Sequence, residues 1–286
     1  MTALVALGGG HGLAATIRAI RNEGTSATAI VATADDGGST GRLRAAFDLP
    51  APGDIRRCLV AMAGEGRWSE VVDYRFPGGD LEGHALGNLV LAGLTHVTGD
   101  FVEACDELAR LLGLDPASHR VLPATTEAVV LRAHTADGAV DGQSAITQTV
   151  GVERVELVPA DAASPKDAIE SILAADQVVL GPGSLFTSVL AAAIAPEVRR
   201  ALEETGAQRV FICNLRAELA ETRGYDVAAH VDVLARHGID VDVVLHDRVG
   251  LDAGALHVDH VAADLARANG LAHDPPKLAA ALRSLR

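Results

Sequence analysis

Two short hydrophobic runs in this chain end abruptly in glycine, and a helical pattern follows each. Leu4 to Leu7 is closed by Gly8, Gly9, Gly10, His11 and Gly12. Val178 to Leu180 is closed by Gly181, Pro182, Gly183 and Ser184. A glycine turn between a buried strand and a helix lets a ligand approach the backbone closely. It also presents the N–H groups of the helix N-terminus to an anion. Two such turns restrict the chain to an α/β protein with a Rossmann-like parallel sheet, helices on both faces and a ligand at the carboxyl ends of the strands.

Composition agrees with that restriction. Hydrophobic residues make up 49% of the 286, but aromatics only 3%, so the core must be built from Ala, Val, Leu and Ile. Such residues suit helices packed on a sheet buried on both faces. The length fits one domain, residues 1–286, with an inserted β-rich segment at about 121–150. A net charge of -14 argues against a nucleic-acid-coating role, which needs clustered Lys and Arg, but leaves room for a small anion held locally. Cys58, Cys105 and Cys213 are scattered and lack metal spacing, as expected of reduced thiols in a cytoplasmic protein. The N-terminal apolar run has no basic leader and is too short to span a membrane.

Along the chain, a helix from Leu13 buries Ile17 and Ile20 and ends at Gly24; Ala27 to Ala34 is a second buried strand. Asp35 to Gly41 reads as a polar loop. Asp54 is placed to cap a helix after Pro52 and Gly53. Gly64 to Pro77 reads as irregular. Helices are expected over Gly83–Val97 and Asp100–Leu112, the latter capped by Asp100. Val121 to Gln148 is rich in Thr and Val, with Asp137-Gly138 and Asp141-Gly142 turns, and predicts a β-hairpin flap. Strands at Val210–Cys213 and Val241–Leu245 and a helix over Pro275–Leu285 complete the reading.

Several polar groups sit where such a sheet opens. Asp35 and Asp36, after the second strand, could bind a ribose, a metal or a substrate hydroxyl, with Arg42 and Arg44 countering phosphate charge. His84 and Asn88 lie four apart, hence on one helical face or in a buried polar pair. Ser184 can cap its helix or bind phosphate. Tyr225, one of two tyrosines, either stacks on a base or sugar or simply packs. The strict dinucleotide fingerprint is broken at Leu13, which weakens an NAD-dependent reading, and no nucleophile elbow, zinc helix or Walker A loop is present.

The ordered segments GGGHGL, TADDGGSTGRLR, PGDIRRCLVAMA, GHALGNL, GPGSLFTSVL and NL…ETRGY…H resemble the gluconeogenesis factor (YvcK-type) family, within the superfamily of CofD-like 2-phospho-L-lactate transferases. The resemblance implies an often dimeric Rossmann-type body that binds UDP-glucose or UDP-N-acetylglucosamine. It implies a regulatory role in carbon metabolism, cell shape and peptidoglycan synthesis, with protein partners in cell-wall synthesis. The alternative it implies is a magnesium-dependent transferase that moves a phospholactyl group to a deazaflavin acceptor. Carried over by motif, the ligand residues are Gly8, Gly9, Gly10, His11, Gly12, Asp35, Asp36, Ser39, Arg42, Asp54, Asn88, Gly183, Ser184, Thr187, Asn214 and Tyr225. Asp35 and Asp36 would hold the metal, and Asp36 and His11 would be catalytic. The chain departs from the family pattern between Arg216 and Arg223, at Ala229 in place of an aspartate, and at Ala272 in place of an arginine that could contact phosphate.

Overall fold

The computed structural model of the protein describes residues 2–21, 23, 26–218 and 220–286. Its centre is a seven-stranded sheet in which every pairing is parallel. The strands are β1 (Leu4–Gly8), β2 (Ala27–Val31), β3 (His119–Pro123), β7 (Gln177–Leu180), β8 (Gln208–Ile212), β9 (Val243–Asp247) and β10 (Asp259–Ala263). The remaining three, β4 (Val130–Thr135), β5 (Gly138–Asp141) and β6 (Val152–Val158), form a small antiparallel sheet in the order β5-β4-β6.

The large sheet is buried on both faces, which explains its near-continuous apolar strands. Val5, Leu7, Ile30, Val178, Leu180 and Phe211 face one core, which includes the antiparallel sheet. Leu4, Ala6, Ala29, Val31, Val179 and Ile212 face the other, packed under the helices Gly10–Ile20, Pro52–Ala63, Phe101–Leu111 and Pro275–Ser284. Phe186 and Phe211 are the only aromatics among the largest fully buried side chains; Leu and Ile supply the others.

The sheet order is β10-β9-β8-β7-β1-β2-β3. From β1 the chain builds outward through β2 and β3, returns to the other side of β1 as β7, and then builds outward again. The order therefore reverses between β1 and β7. In open α/β sheets, ligands bind at such a reversal, outside the carboxyl ends of the strands.

Local structure follows the expected pattern in most places and departs from it in a few. Asp100 caps its helix by accepting from the Glu103 N–H at 2.9 Å. The polar Asp35–Gly41 segment is only half loop, since a helix already begins at Gly38 and runs to Phe47. The helix expected from Gly83 starts at Leu86, and His84 precedes it. A helix at Arg67–Asp73 and the edge strand β10 were not expected. Of the predicted flap, Val121–Pro123 belongs to the parallel sheet; the hairpin proper is β4–β5, extended by β6. Gly24, the expected end of the first helix, lies outside the described residues. Among the described residues, no helix is long and apolar enough to cross a membrane.

Gly93 gives a test of the helix Leu86–Thr98. A Cβ there would meet no atom within 4 Å. Gly93→Ala should raise the urea midpoint, stabilising the fold by ~0.5–1 kcal/mol through lost backbone freedom in the unfolded chain.

Candidate functional site

The pairing of β1 with both β2 and β7 brings the two glycine turns level: Leu7 lies opposite Leu180, and each strand then enters its turn. The turns touch. A Cβ on Gly8 would lie 3.9 Å from the Gly181 Cα, and one on Gly183 would lie 3.6 Å from the Gly9 carbonyl oxygen. A Cβ on Gly12 would fall 2.6 Å from the Pro182 carbonyl carbon, closer than real Cβ atoms come. Buried Thr16 ties the pair together by donating its hydroxyl to the Gly181 carbonyl at 2.9 Å. Gly10, at φ +64°, needs the left-handed conformation that opens the first turn.

The helix after the second turn starts as a wide π-type coil over Leu185–Leu190, with the Val189 N–H donating five residues back to the Ser184 carbonyl at 2.9 Å. Such coils occur often at functional sites. This one places Ser188 between the two turns: its Cβ is 3.4 Å from where a Gly183 Cβ would stand, and its Oγ 3.5 Å from that of Gly9.

Some turn amides are already engaged. Gly10 N–H donates to Asp54 Oδ2 at 2.6 Å, and Gly183 N–H donates to Asn214 Oδ1 at 3.1 Å. Asp54 therefore does not cap its own helix, whose N-cap is Ala51. It reaches 44 residues back to the first turn and pairs there with Arg57. Helix geometry leaves the His11 and Gly12 amides for an outside acceptor. His11 itself is exposed, and the Arg57 guanidinium, with partial burial, holds its imidazole below its usual pKa.

Ser184 accepts from the Thr187 N–H, shares a 2.6 Å hydrogen bond with the Thr187 hydroxyl, and donates to Glu221. Glu221 is 2% exposed, and among the described residues its Oε1 has no hydrogen-bond partner. Burial pushes its carboxyl up to about 8, and neighbouring Glu218 adds to the shift. A carboxylate buried this deeply is costly unless it is protonated or paired.

The antiparallel insertion covers the opening. Gly142 turns at φ +98°, and the short helix Gln143–Ile146 follows. Ser144 N–H donates to Asp36 Oδ1 at 2.9 Å, while the Gln143 amide donates to the Thr187 carbonyl at 2.6 Å. One element thus bridges the acidic loop and the second glycine turn. Asp35 is half-buried and accepts from Gly37 N–H at 2.9 Å, and desolvation raises its carboxyl above the usual range. Beside these groups, Asn214, Arg216, Glu218, His273, Thr147 and Gln148 line a cavity of about 670 Å³. Burial holds His273 down to about 4, so it is neutral at physiological pH.

Other expected site residues are placed differently. Ser39 and Arg42 meet at His84: Arg42 Nε donates to His84 Nε2 at 3.0 Å, which leaves the proton on Nδ1 to bond Ser39 Oγ at 2.9 Å. Asn88 is 1% exposed, and its Oδ1 accepts from Arg56 Nε at 3.1 Å. Burial lowers Arg56 to about 10, and Asp73 pairs with it. Tyr225 stands edge-on to His230, ring centroids 5.5 Å apart, in the turn that carries Glu221. Sequence reasoning missed Ser188, Glu221, Gln143 and Ser144 as site residues. Ser188 lies four residues after Ser184 on the same helix start, a spacing that could have flagged it. The other three depend on long-range packing.

Asp35 and Asp36 supply two carboxylates, and among the described residues no group of three or more His, Cys, Asp or Glu converges as a metal cage. A magnesium ion would fit here only if a ligand's phosphate oxygens completed its shell, as is usual for that ion.

Comparison with known proteins agrees with this architecture. The family profile described as 2-phospho-L-lactate transferase CofD matches residues 4–280. A protein of Mycobacterium tuberculosis is 44% identical over 306 residues, covering 98% of this chain and 89% of its own. The gluconeogenesis factor of Halalkalibacterium halodurans is 40% identical over 250 residues, 85% of this chain and 77% of that protein. The crystal structure of a Bacillus halodurans member of the UPF0052 family superposes with a TM-score of 0.93 at 34% identity, covering 99% of this chain and 98% of that one. With its switch-point glycine turns and these relatives, the chain belongs to the gluconeogenesis factor family, built on a CofD-like domain.

Proposed function

We propose that the protein is a cytoplasmic regulator that binds a nucleotide sugar, UDP-glucose or UDP-N-acetylglucosamine, and reports on carbon supply to cell-wall synthesis and cell shape. The observation that supports this reading is the contact between the two glycine turns at the sheet's reversal point, since an anion there could be held by both turns at once. The diphosphate would lie across the His11 and Gly12 amides and the Ser184 and Thr187 hydroxyls. The sugar or uracil would enter the cavity beside Asn214, whose volume of about 670 Å³ is within the range of small-molecule sites. Gln143 and Ser144 would hold the insertion closed over it. Titration calorimetry with each UDP-sugar tests the reading: saturable binding supports it, and flat traces with both would remove it.

The CofD-type match favours one second reading, a phospholactyl transferase. In that reaction an acceptor hydroxyl oxygen bonds to the donor's phosphorus, the diphosphate P–O bond breaks, and a nucleoside monophosphate leaves while a base takes the hydroxyl proton. Asp35 and Asp36 would hold magnesium against the donor phosphates, with Asp36 or His11 as the proton acceptor. Release of nucleoside monophosphate from a nucleotide-activated phospholactate, in the presence of a deazaflavin acceptor, would decide for this reading over the regulatory one.

A further inference from the structure

Away from the glycine turns, a second cavity of about 490 Å³ opens where β6, the start of helix Pro196–Glu204 and the end of helix Val227–Arg236 converge. None of the glycine-turn residues lines it. Three arginines do, one from each element: Arg154, Arg199 and Arg236. We propose that this cavity is a second ligand site that takes a small phosphorylated metabolite.

Charge bookkeeping supports the assignment. The chain has 24 basic residues against 38 acidic ones, so a cluster of cations left without carboxylate partners is unexpected. Among the described residues, Arg154 and Arg199 make no side-chain hydrogen bond or ion pair, and Arg236 only donates to the Asp232 backbone carbonyl at 3.3 Å. One carboxylate, Glu156, lines the cavity with the arginines, and it and Glu197 beside it are engaged by other groups. Glu156 accepts from His134 at 3.0 Å, and Glu197 accepts from the Ser164 N–H at 2.7 Å. Arg236 also complements the negative end of its own helix, which explains one of the three. It does not explain Arg154 on a strand or Arg199 in the first turns of another helix.

Apart from Glu156, the rest of the lining is uncharged. His237 accepts the Val155 N–H on Nε2 at 3.0 Å and donates Nδ1–H to the Val233 carbonyl at 2.7 Å, so it is locked neutral. Burial, together with Arg154 and Arg236, holds its pKa down in the same sense. Val155, Leu157, Ile194 and Pro196 supply apolar surface. Gly238, at φ +74°, brings the Arg199 guanidinium within 3.3 Å of where its Cβ would stand. Guanidinium groups beside apolar side chains suit phosphate oxygens attached to a compact carbon skeleton.

Calorimetric titration of the full chain with pyrophosphate tests this. The Arg199→Gln/Arg236→Gln variant should bind it roughly tenfold more weakly, or lose one of two binding events, while UDP-sugar binding stays unchanged. Both arginines are exposed, so the variant should fold; Arg154→Gln, on a different element, gives an independent readout. A wild-type chain that binds no pyrophosphate, or variants that bind it as the wild type does, would overturn the proposal. Because UDP-sugar is titrated separately, failure at the glycine turns is distinguishable from failure here.

Discussion

Replacing Gly12 with alanine is expected to destabilise the protein by ~3 kcal/mol or more and, on the proposed function, to abolish UDP-sugar binding. The added methyl group would stand 2.6 Å from the Pro182 carbonyl carbon and 3.0 Å from the Gly183 Cα. Both are backbone atoms, so no rotamer change relieves the clash. The turns must separate instead, and the Thr16–Gly181 bond that joins them must stretch or break. Thermal unfolding should show a midpoint lower by on the order of 6 °C or more for a chain of this size. Gly206→Ala is the control. A Cβ there meets nothing within 4 Å, so its midpoint should stay near that of the wild type. Equal effects of the two substitutions would mean that contact between the turns is not what makes Gly12 necessary.

The second large effect concerns pH. Glu221 is buried beside Ser184, and its folded-state pKa is raised to about 8 from an ordinary carboxyl value. Between those two values the folded chain holds a proton that the unfolded chain has released. Stability from this group is therefore fully present in acid and is lost as pH rises through about 8. Glu221→Gln keeps the shape but cannot ionise. It should flatten the decline, so that the variant gains on the wild type by a few kcal/mol between pH 5 and pH 9. His273 acts oppositely. Its pKa is lowered to about 4, so its contribution is lost as pH falls. Comparing urea midpoints of wild type and variant across pH cancels the histidine and isolates the glutamate. An unchanged slope between pH 5 and pH 8 in the variant would show that Glu221 is ionised throughout. If the UDP-sugar reading holds, an arriving phosphate strengthens proton retention on Glu221, so affinity should also fall as pH rises past 8.

These two experiments probe features of different legibility. Gly12 stands in a motif that is visible in the sequence, because a strand that ends in consecutive glycines has few local explanations. Glu221 lies in a polar stretch with no marker of burial. Its shifted pKa arises only because the turn after Asn214 folds back onto Ser184, 37 residues earlier.

The same division runs through the rest of the molecule. Asp100 was readable as a cap because its partner, the Glu103 amide, is three residues away. Asp54 offered the same local pattern, yet its carboxylate serves the Gly10 amide on another helix. Asn88 was readable as a residue on one helical face with His84 or as its buried partner, and its Oδ1 instead accepts from Arg56 on a neighbouring helix. Strand β10 was missed because its exposed, polar edge position leaves no apolar run to read, whereas the fully buried β1 and β7 were plain.

Sequence alone therefore determined the parallel α/β class, the central strands and the two glycine turns, since burial on both sheet faces and steep backbone requirements restrict residue type within a few positions. Only the tertiary structure decided that β1 and β7 are neighbours, that the insertion reaches both Asp36 and Thr187, and which carboxylates are buried. Those facts depend on contacts between residues tens to more than a hundred positions apart, and nothing in the local pattern of either partner specifies the other.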